Sequence, residues 1–346
     1  MEPSCPLPVT DHPSVQLGHG SGGVMMHRLL GETILPALEN EFLNQGHDGA
    51  VLELGGGAKY AFTTDSYVVK PRFFSGGDIG CLAVYGTVND LAMCGARPLY
   101  LSVGLILEEG FPMEELERVM ASMRAAADRA GVLVVTGDTK VVDRGHGDGV
   151  FINTSGVGVI EHAQAISPKA VTEGDVILLS GDIGRHGIAI LAEREGLEFE
   201  SSIVSDCAPL HGVVQALLDA GVEIHCLRDL TRGGLASSLK EIAGDSGCEV
   251  TVREEDIPVT DDVRGACELL GLDPIYVANE GTMIAIVPAS EAEKALAAMR
   301  SVPEGAHSIM MGSVGGAGSR KVFLESTLGT KRIVDMLAGE QLPRIC

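Results

Sequence analysis

The chain carries at residues 77–96 the stretch GDIGCLAVYGTVNDLAMCGA, an almost unbroken apolar run that holds two carboxylates. Asp78 is a typical helix N-cap and Gly95 a typical helix stop, so the pattern predicts a helix over 78–94. Helical spacing puts Asp90 on an apolar face of this helix. A carboxylate there must be paired or must bind a cation, because an isolated buried charge is too costly.

Apolar segments on both sides of this helix predict a mixture of strands and helices, and therefore an α/β (α+β) protein. The predicted strands are 51–54, 60–64, 99–107, 132–135, 150–160, 175–179, 222–227, 275–277, 283–287, 308–314 and 321–324. The other predicted helices follow 18–23 and 180–184 or lie at 113–130, 206–220, 231–243, 261–270 and 328–337. Glycines 55–57 predict a hairpin between the first two strands, and strand 132–135 is expected to be buried.

The length of 346 residues exceeds one ordinary core and predicts two domains of similar size. A polar stretch at 161–172 interrupts the apolar pattern and marks the boundary between them. We expect an N-terminal domain over 1–165, a C-terminal domain over 166–338 and a mobile tail over 339–346.

The formal charge of −23 argues against a nucleic-acid partner, since a phosphate backbone requires a basic face. An anionic small-molecule ligand is compatible with this negative charge if metal ions neutralise the ligand. The eight cysteines are dispersed without a Cys-x-x-Cys pair, and the sequence shows neither a signal-peptide pattern nor an apolar stretch of membrane length. We expect a cytoplasmic protein without a membrane segment, whose internal cysteines act as small apolar core residues.

The chain ends in Pro343-Arg344-Ile345-Cys346, so its last residue carries a thiol. The residues after Gly339 would span roughly 20 Å if extended, at about 3.3 Å per residue. A thiol on such a tail can be loaded in one place and processed in another. The alternative is an accidental cysteine on a frayed chain end, where disorder concentrates.

The glycine-rich segment 18–23 matches Gly-x-Gly-x-x-Gly, but no strand precedes it and the acidic residue of a dinucleotide fold is missing. Its exposed backbone N–H groups suit a phosphate cradle, and a mobile entry loop is the alternative. His19 is the histidine best suited to a site, whereas His186 and His211 are expected to be surface or structural residues.

Four aspartates lie at the ends of apolar strands or on an apolar helix face, namely Asp65, Asp90, Asp138 and Asp229. Hard carboxylate oxygens suit Mg²⁺, which commonly bridges nucleotide phosphates to one or two such ligands. Each aspartate by itself could be an N-cap or a solvated turn residue. Four in the same setting favour a metal–nucleotide site.

Two further residues could take part in chemistry at such a site. Lys140, two residues past Asp138, could reach a phosphate or a substrate oxygen. Glu280 lies in the sequence Asn-Glu-Gly, which interrupts an apolar strand region, and could act as a general base. Taken singly, each would be a surface residue.

Several segments together carry a family resemblance. They are 19–23, 64–66, 77–80, 89–96, 137–142, 228–234, 279–281 and the Pro-Arg-Ile-Cys terminus. Over these segments, from residue 18 to 346, the chain resembles the carbamoyl dehydratases of hydrogenase maturation, in the superfamily of aminoimidazole ribonucleotide synthetase and selenophosphate synthetase. The aspartate-rich segments specify the superfamily, and the terminal cysteine specifies the dehydratases.

The resemblance implies a two-domain synthetase fold. The N-terminal mixed sheet would pair in a homodimer with the nucleotide near that interface, and the C-terminal mixed sheet would be flanked by helices. The implied cofactors are ATP and Mg²⁺, with Asp65, Asp90, Asp138 and Asp229 as metal ligands. Further nucleotide contacts would come from His19, Gly20, Ser21, Gly22, Asn89 and Thr139.

The resemblance also implies a reaction on the chain itself. Cys346 would receive a carbamoyl group from a partner carbamoyltransferase, and ATP would phosphorylate the carboxamide oxygen to make it a leaving group. We expect Glu280 to remove N–H protons and Lys140 to neutralise oxygen or phosphate charge, with Arg344 steadying the tail. The thiocyanate would pass its cyanide to iron on an iron-carrying scaffold complex, for the nickel–iron centre of a hydrogenase.

Two other functions remain open at this stage. One is another ATP enzyme of the superfamily, making selenophosphate or closing an imidazole ring. The first would call for a reactive cysteine and a lysine in the glycine loop, and the second has no use for a terminal cysteine. The other is a non-enzymatic binding protein whose tail thiol holds a metal or a partner.

Overall fold

The computed structural model describes residues 14–43, 47–55, 57–197, 203–337, 342 and 344–346. These residues form two mixed sheets with helices packed against them, which confirms the predicted α/β class. The hairpin residue Gly56, residues 339–341 and 343 of the predicted tail, and residues 1–13 lie outside the described part.

The N-terminal sheet has the strand order β1-β2-β7-β5-β6, in which only β5 and β6 are paired in parallel among the described strands. A short hairpin of two further strands, β3 and β4, leads into the helix predicted at 78–94. The strands of this half are β1 (Ala50–Leu54), β2 (Ala58–Tyr67), β3 (Phe73–Phe74), β4 (Gly77–Asp78), β5 (Arg97–Glu108), β6 (Leu133–Val142) and β7 (Val150–Ile160).

The C-terminal sheet has the order β14-β13-β10-β12-β8-β11-β9, and β10 runs parallel to β13. Its central strands are apolar on both faces, as expected for a sheet covered by helices. The strands are β8 (Asp175–Leu179), β9 (Cys226–Asp229), β10 (Cys248–Arg253), β11 (Met283–Pro288), β12 (Ile309–Ala317), β13 (Val322–Glu325) and β14 (Lys331–Val334).

Helices cover one face of the first sheet and both faces of the second. None of the helices in the described ranges is long and apolar enough to cross a membrane. They are α1 (Val24–Leu29), α2 (Leu35–Leu38), α3 (Ile79–Met93), α4 (Met113–Ala130), α5 (Arg185–Glu195), α6 (His211–Asp219), α7 (Gly234–Ser246), α8 (Asp261–Leu270) and α9 (Ala292–Met299).

Helix α3 lies at the junction of the two halves. Thirteen of its 15 residues are buried, so it is packed on every side, as an all-round apolar helix must be. It contacts β2, β7 and α4 of the N-terminal half and α6 and β9 of the C-terminal half. Asp78 caps it, with Oδ1 accepting from the backbone N–H of Gly80 at 2.7 Å. The predicted helix is therefore confirmed, and it carries Asp90 to the junction.

The predictions for 113–130, 150–160, 175–179 and 261–270 are confirmed, while two others are wrong. The segment 275–277 forms a 3-10 turn, Pro274–Tyr276, instead of a strand. The segment predicted as a helix at 328–337 contains β14, which pairs with β13. Gly329 has φ +77° in the connecting turn, where the Ser326 N–H donates to the Thr330 carbonyl, so the local backbone forms a hairpin.

Other elements differ in their limits. Helix α6 begins at His211 rather than at 206, because the Asp206 carboxylate accepts hydrogen bonds from residues 280–282 and holds the preceding segment extended. Strand β10 and helix α9 were not predicted.

Strand β6 confirms the prediction at 132–135 but not its burial. Leu133 is 62% exposed and Val135 58% exposed in the single chain. Among the described strands β6 pairs with β5 alone, so it forms the edge of the sheet. An apolar edge of this kind is normally covered by another chain.

Candidate functional site

Three carboxylates from distant parts of the chain meet at the junction of the two halves. Asp48, Asp90 and Asp229 each offer one oxygen atom, and these atoms lie within 4.8 Å of one another. Asp48 precedes β1, Asp90 belongs to α3 and Asp229 ends β9. Asp90 and Asp229 were predicted for this site, whereas Asp48 was missed because it begins an apolar strand instead of ending one.

Burial and mutual repulsion disfavour the ionised form of this cluster. Burial, and next the charge of Asp229, raises the pKa of Asp90 well above its usual value. Burial, and next Asp48, raises the pKa of Asp229 to about 7. Asp48 Oδ2 is buried without a hydrogen-bond partner, which a bound cation would satisfy. The three oxygens therefore fit a hard divalent ion such as Mg²⁺.

Arg228 compensates part of this charge. Its Nη1 lies 2.6 Å from Asp48 Oδ1, and its other terminal nitrogen pairs with Glu241 of α7. Glu241 also lies 3.1 Å from His27 Nε2, which ties α1 to α7. One oxygen of Asp48 is thus held by Arg228 while the other stays available for a ligand.

A second cation, Arg232, lies between the aspartates and the chain terminus. The pKa of Asp65 is raised by burial, and Arg232 is the largest influence in the opposite direction. The pKa of Arg232 is raised by nearby acidic groups, Cys346 first and then Asp65 and Glu280, against the opposing effect of burial. Asp65 thus lies beside the carboxylate cluster as predicted, whereas no role for Arg232 was predicted.

The thiol of Cys346 lies among these charged groups. Its pKa is raised, mainly by burial and then by the carboxylates of Glu280, Asp65 and Asp229, while Arg232 lowers it. The thiol is therefore protonated at neutral pH in this conformation. The described tail residues 344–346 are packed against the protein, so the cysteine of the predicted mobile tail is held inside the site.

Glu280 is the predicted base, and it lies in the same region. The residue is 3% exposed, and its Oε1 is buried without a hydrogen-bond partner. Burial, followed by the charges of Asp229 and Asp206, raises its pKa well above the usual value. An unpaired carboxyl oxygen of high proton affinity is suited to accept a proton from a substrate.

Asp206 positions the loop that carries Glu280. Its Oδ1 accepts from the Glu280 N–H at 3.2 Å, and its Oδ2 accepts from the Gly281 N–H at 3.0 Å and the Thr282 hydroxyl at 2.9 Å. The sequence pattern did not identify this role, because the partners are 74 to 76 residues away along the chain.

The predicted phosphate cradle, His19, Gly20, Ser21 and Gly22, is packed against the head of α7. The Ser237 hydroxyl donates to the Gly22 carbonyl at 3.2 Å, and Arg232 Nη1 donates to the Gly20 carbonyl at 3.5 Å. Gly22 has φ +78°, and a Cβ there would lie 2.8 Å from the Arg232 backbone. The close approach requires glycine.

Asn89 makes structural contacts in this conformation, and its predicted contact with nucleotide stays a prediction. Its Nδ2 donates to the Ala208 carbonyl at 3.1 Å, and its Oδ1 accepts from the Leu210 N–H at 2.7 Å. The amide thereby fastens α3 to the segment before α6 and leaves Asp90, its neighbour, at the carboxylate cluster.

Asp138, Thr139 and Lys140 are not brought to this site within one chain. They lie in the edge strand β6, and Lys140 Nζ pairs with Asp138 Oδ1 at 2.7 Å, which lowers the Asp138 pKa. Across the sheet, Asp138 of β6 pairs with Gly104 of β5, which pairs with Asn153 of β7, which pairs with Ser66 of β2. Asp138 is therefore in the same cross-strand row as Ser66, the residue after Asp65. Because side chains alternate along a strand, Asp138 and Asp65 face opposite sides of the sheet. The strand-end signal failed for Asp138 because its strand continues to Val142.

The chain is similar to known proteins over nearly its whole length. Residues 46–160 match the family model "AIR synthase related protein, N-terminal domain", and residues 172–324 match its C-terminal domain. The carbamoyl dehydratase HypE of Azotobacter vinelandii is 55% identical over 333 residues, which cover 96% of this chain and 97% of that protein. The carbamoyl dehydratase HypE of Escherichia coli K12 is 46% identical, with 96% and 99% covered.

Solved structures are similar over nearly the same length. Hydrogenase maturation protein HypE in complex with ATP superposes with a TM-score of 0.81 at 51% identity, covering 96% of this chain and 100% of that one. The HypE–HypF complex gives 0.85 at 46% identity, covering 89% and 99%. ThiL complexed with AMPPCP and TMP gives 0.70 at 19% identity, which shows a shared fold.

Proposed function

The chain belongs to the AIR synthase related family and, within it, to the carbamoyl dehydratases of hydrogenase maturation, and we infer that its substrate is an S-carboxamide on its own Cys346. The chain is an ATP-dependent enzyme that makes cyanide ligands for hydrogenase maturation. The product on Cys346 would be a thiocyanate, destined for the iron of a nickel–iron centre.

One observation carries the assignment of Cys346. The last residue of the chain is held within the charged site, where Arg232 is the principal cation acting on its thiol. A thiol in that position puts its own cargo beside the carboxylates that would bind Mg²⁺–ATP. Reaction within one assembly avoids a bimolecular encounter, which can contribute about 7 kcal/mol or more.

The reaction removes the elements of water from –S–C(=O)–NH₂. The carboxamide oxygen attacks the γ-phosphorus of ATP, ADP leaves and one N–H proton is lost. The C–O bond then breaks to release phosphate, and loss of the second N–H proton leaves –S–C≡N. We propose that Glu280 accepts an N–H proton in its ionised form, since its buried Oε1 has no hydrogen-bond partner among the described residues and is free to contact the carboxamide.

Mg²⁺ would be held by Asp48, Asp90 and Asp229, with Asp65 beside them. When bound, it would neutralise charge on the phosphate oxygens. The loop 18–23 would approach the phosphates, because it lies against Arg232 and the head of α7.

A homodimer is the oligomer that we propose. The uncovered face of the N-terminal sheet carries a cross-strand row in which Phe62 pairs with Val157, Val157 with Tyr100, and Tyr100 with Leu133. Phe62, Tyr100 and Leu133 are 43%, 47% and 62% exposed. A second copy would cover this apolar row.

Pairing of the two sheets would also give the β6 residues a role. Asp138, Thr139 and Lys140 of one copy would approach the nucleotide of the other, where Lys140 would neutralise oxygen or phosphate charge. This arrangement would explain why three predicted site residues lie apart from the carboxylate cluster in one chain.

The other partners are proposed from the chemistry. A carbamoyltransferase must deliver the carbamoyl group, and a relative forms the HypE–HypF complex. An iron-carrying scaffold complex would accept the cyanide. Cytoplasmic action suits the seven free cysteines in the described part of the chain, which require reducing conditions.

Mass spectrometry of the C-terminal peptide tests the assignment. After carbamoylation by the transferase system or by cyanate, the peptide should carry a carboxamide, and with Mg²⁺–ATP it should lose one water. The other cysteine peptides serve as internal controls. Cys346→Ala should abolish both changes, and a dehydrated carboxamide on any other cysteine would contradict the assignment. ATP hydrolysis at the same rate with and without carbamoylation of the tail would favour a different enzyme of the superfamily.

A further inference from the structure

The described end of the tail is hydrogen-bonded to the segment that follows β2. The Val68 N–H donates to a terminal oxygen of Cys346 at 3.0 Å, and the Lys70 N–H donates to the Arg344 carbonyl at 3.2 Å. In return, Arg344 Nε donates to the Val68 carbonyl at 3.0 Å. Residues 344–346 therefore lie alongside 68–70, just beyond the end of β2.

A buried histidine holds the carbonyl next to the reactive cysteine. His186, in the first turn of α5, has no exposed surface, and its Nε2 lies 2.8 Å from the Ile345 carbonyl oxygen. A carbonyl can only accept, so the proton of the neutral ring is on Nε2. Nδ1 then accepts from the Ser205 hydroxyl at 2.8 Å, and Ser205 Oγ accepts from the Cys207 N–H at 3.1 Å.

The same helix holds the tail at a second point. Arg194 lies eight residues after His186, on nearly the same side of α5, and donates to the Arg344 carbonyl at 2.9 Å. Arg344 itself has φ +52°, a left-handed conformation that side chains disfavour. Its guanidinium also pairs with Asp148. The docked shape is thus set by these contacts and not by the intrinsic preference of the tail.

Resting on the proposed function of Cys346, we propose that His186 is a positioning residue for the dehydration step. It fixes the Ile345 carbonyl and thereby holds the neighbouring Cys346 in its docked position, although it touches neither ATP nor the reacting carboxamide. The hydrogen bond to Ser205 keeps the imidazole in the tautomer that donates to the tail. His186 lies outside every segment that carries the family resemblance, which is why sequence reasoning treated it as structural.

The first test measures tail docking without catalysis. His186→Leu removes the donor, and His186→Gln keeps an N–H group. Docking slows alkylation of Cys346 because it leaves the residue only half-exposed. We expect iodoacetamide to label Cys346 about tenfold faster in His186→Leu, the effect of losing one buried hydrogen bond, and at nearly the wild-type rate in His186→Gln. His211→Leu, a matched imidazole change away from the tail, should label like wild type.

The second test measures single-turnover dehydration of cyanate-carbamoylated protein. His186→Leu should lower the maximal rate with the KM for ATP unchanged, and His186→Gln should restore part of that rate. A raised KM at an unchanged maximal rate would overturn the positioning role. If His186→Leu does not fold, Ser205→Ala leaves the ring in place and should still accelerate labelling.

The two proposals can fail separately. Unchanged Cys346 labelling in a folded His186→Leu protein would reject His186 as the tail anchor, whatever the enzyme does. Absence of thiocyanate on wild-type Cys346 would instead reject the proposed function, because that measurement uses no His186 variant.

Discussion

At the scale of single residues, the site depends on one buried base and one buried arginine. Glu280 and Arg232 each influence the pKa of Cys346, in opposite directions. Both lie in segments of the family resemblance, yet only Glu280 suggested a role, because a carboxylate has an obvious use as a base. Arg232 could be recognised only through its neighbours, since its charge balances groups from three other parts of the chain.

Replacing Glu280 by Gln tests the base directly. The amide keeps the shape but cannot accept a proton, so we expect dehydration to slow by on the order of 10²–10⁴-fold while the carboxamide accumulates. Timed mass spectrometry of the C-terminal peptide measures this. Glu255→Gln, a change outside the site, is the control. Wild-type nitrile formation in the Glu280→Gln protein would remove Glu280 as the base.

The carboxylate cluster predicts a metal-dependent change in stability. Mg²⁺ should raise the Tm of the wild-type protein and leave that of Asp229→Asn nearly unchanged, because binding to the folded state stabilises it. Thermal unfolding with Mg²⁺ or with EDTA measures this. An equal Mg²⁺ effect in both proteins would place the ion elsewhere.

Without metal the same variant predicts a pH dependence. The pKa of Asp229 is about 7 in the folded protein, above the ordinary carboxyl value of the unfolded chain. At pH values between these two, the folded state binds more protons than the unfolded state. The contribution of Asp229 to the stability of the folded protein therefore falls as the pH rises through this range. In EDTA we expect Asp229→Asn to be at least as stable as wild type at pH 8 and to lose that advantage near pH 5.

At the scale of elements, the glycine loop shows how close packing sets the local sequence. The loop 18–23 contacts the head of α7 at a distance that leaves no room for a side chain at Gly22. The Gly-x-Gly-x-x-Gly pattern suggested backbone exposure to a ligand. The structure adds that Gly22 must be a glycine because the backbone of Arg232 leaves no room for a Cβ.

Gly22→Ala is therefore expected to displace the loop. A left-handed φ and a contact of 2.8 Å with the Arg232 backbone should raise the KM for ATP by about tenfold, since left-handed geometry alone costs roughly 1–2 kcal/mol. The dependence of single-turnover dehydration of carbamoylated protein on ATP concentration measures this. At Gly20 a Cβ would meet nothing within 4 Å, so Gly20→Ala is the matched control. Equal KM values in the two variants would mean that the loop does not contact the nucleotide.

At the scale of the whole molecule, the two halves meet on α3 and leave one face of the first sheet uncovered. The predicted limits 1–165, 166–338 and 339–346 stay a prediction, which the separate sheets of β1–β7 and β8–β14 support. The uncovered face carries an apolar row, and the edge strand β6 carries the three predicted site residues. A homodimer would account for both features.

Leu133→Asp should therefore separate the dimer. A charge on the apolar row would be desolvated without a partner in the dimer. We therefore expect a monomer in light scattering and a loss of ATP turnover. Leu269→Asp, at a site 81% exposed on α8, should stay dimeric. A wild-type protein that is monomeric at micromolar concentration would contradict the dimer itself.

The sequence by itself determined the features that depend on local patterns. Caps, apolar spacing and glycine stops predicted α3, α4 and α8 nearly to the residue. The apolar helix face pointed to Asp90, and the end of an apolar strand pointed to Asp229. The terminal cysteine and the motif segments identified the family. These signals succeed because helix capping and side-chain periodicity are properties of neighbouring residues.

Only the tertiary structure decided which distant groups meet. Asp48, Arg232, Asp206 and His186 acquire their roles through partners that lie far away along the chain or in the docked tail. The structure also separated Asp138 from Asp65, because the parity of strand pairing puts them on opposite faces of one sheet. Burial then gave these groups their altered pKa values, since the cost of removing a charge from water depends on everything packed around it.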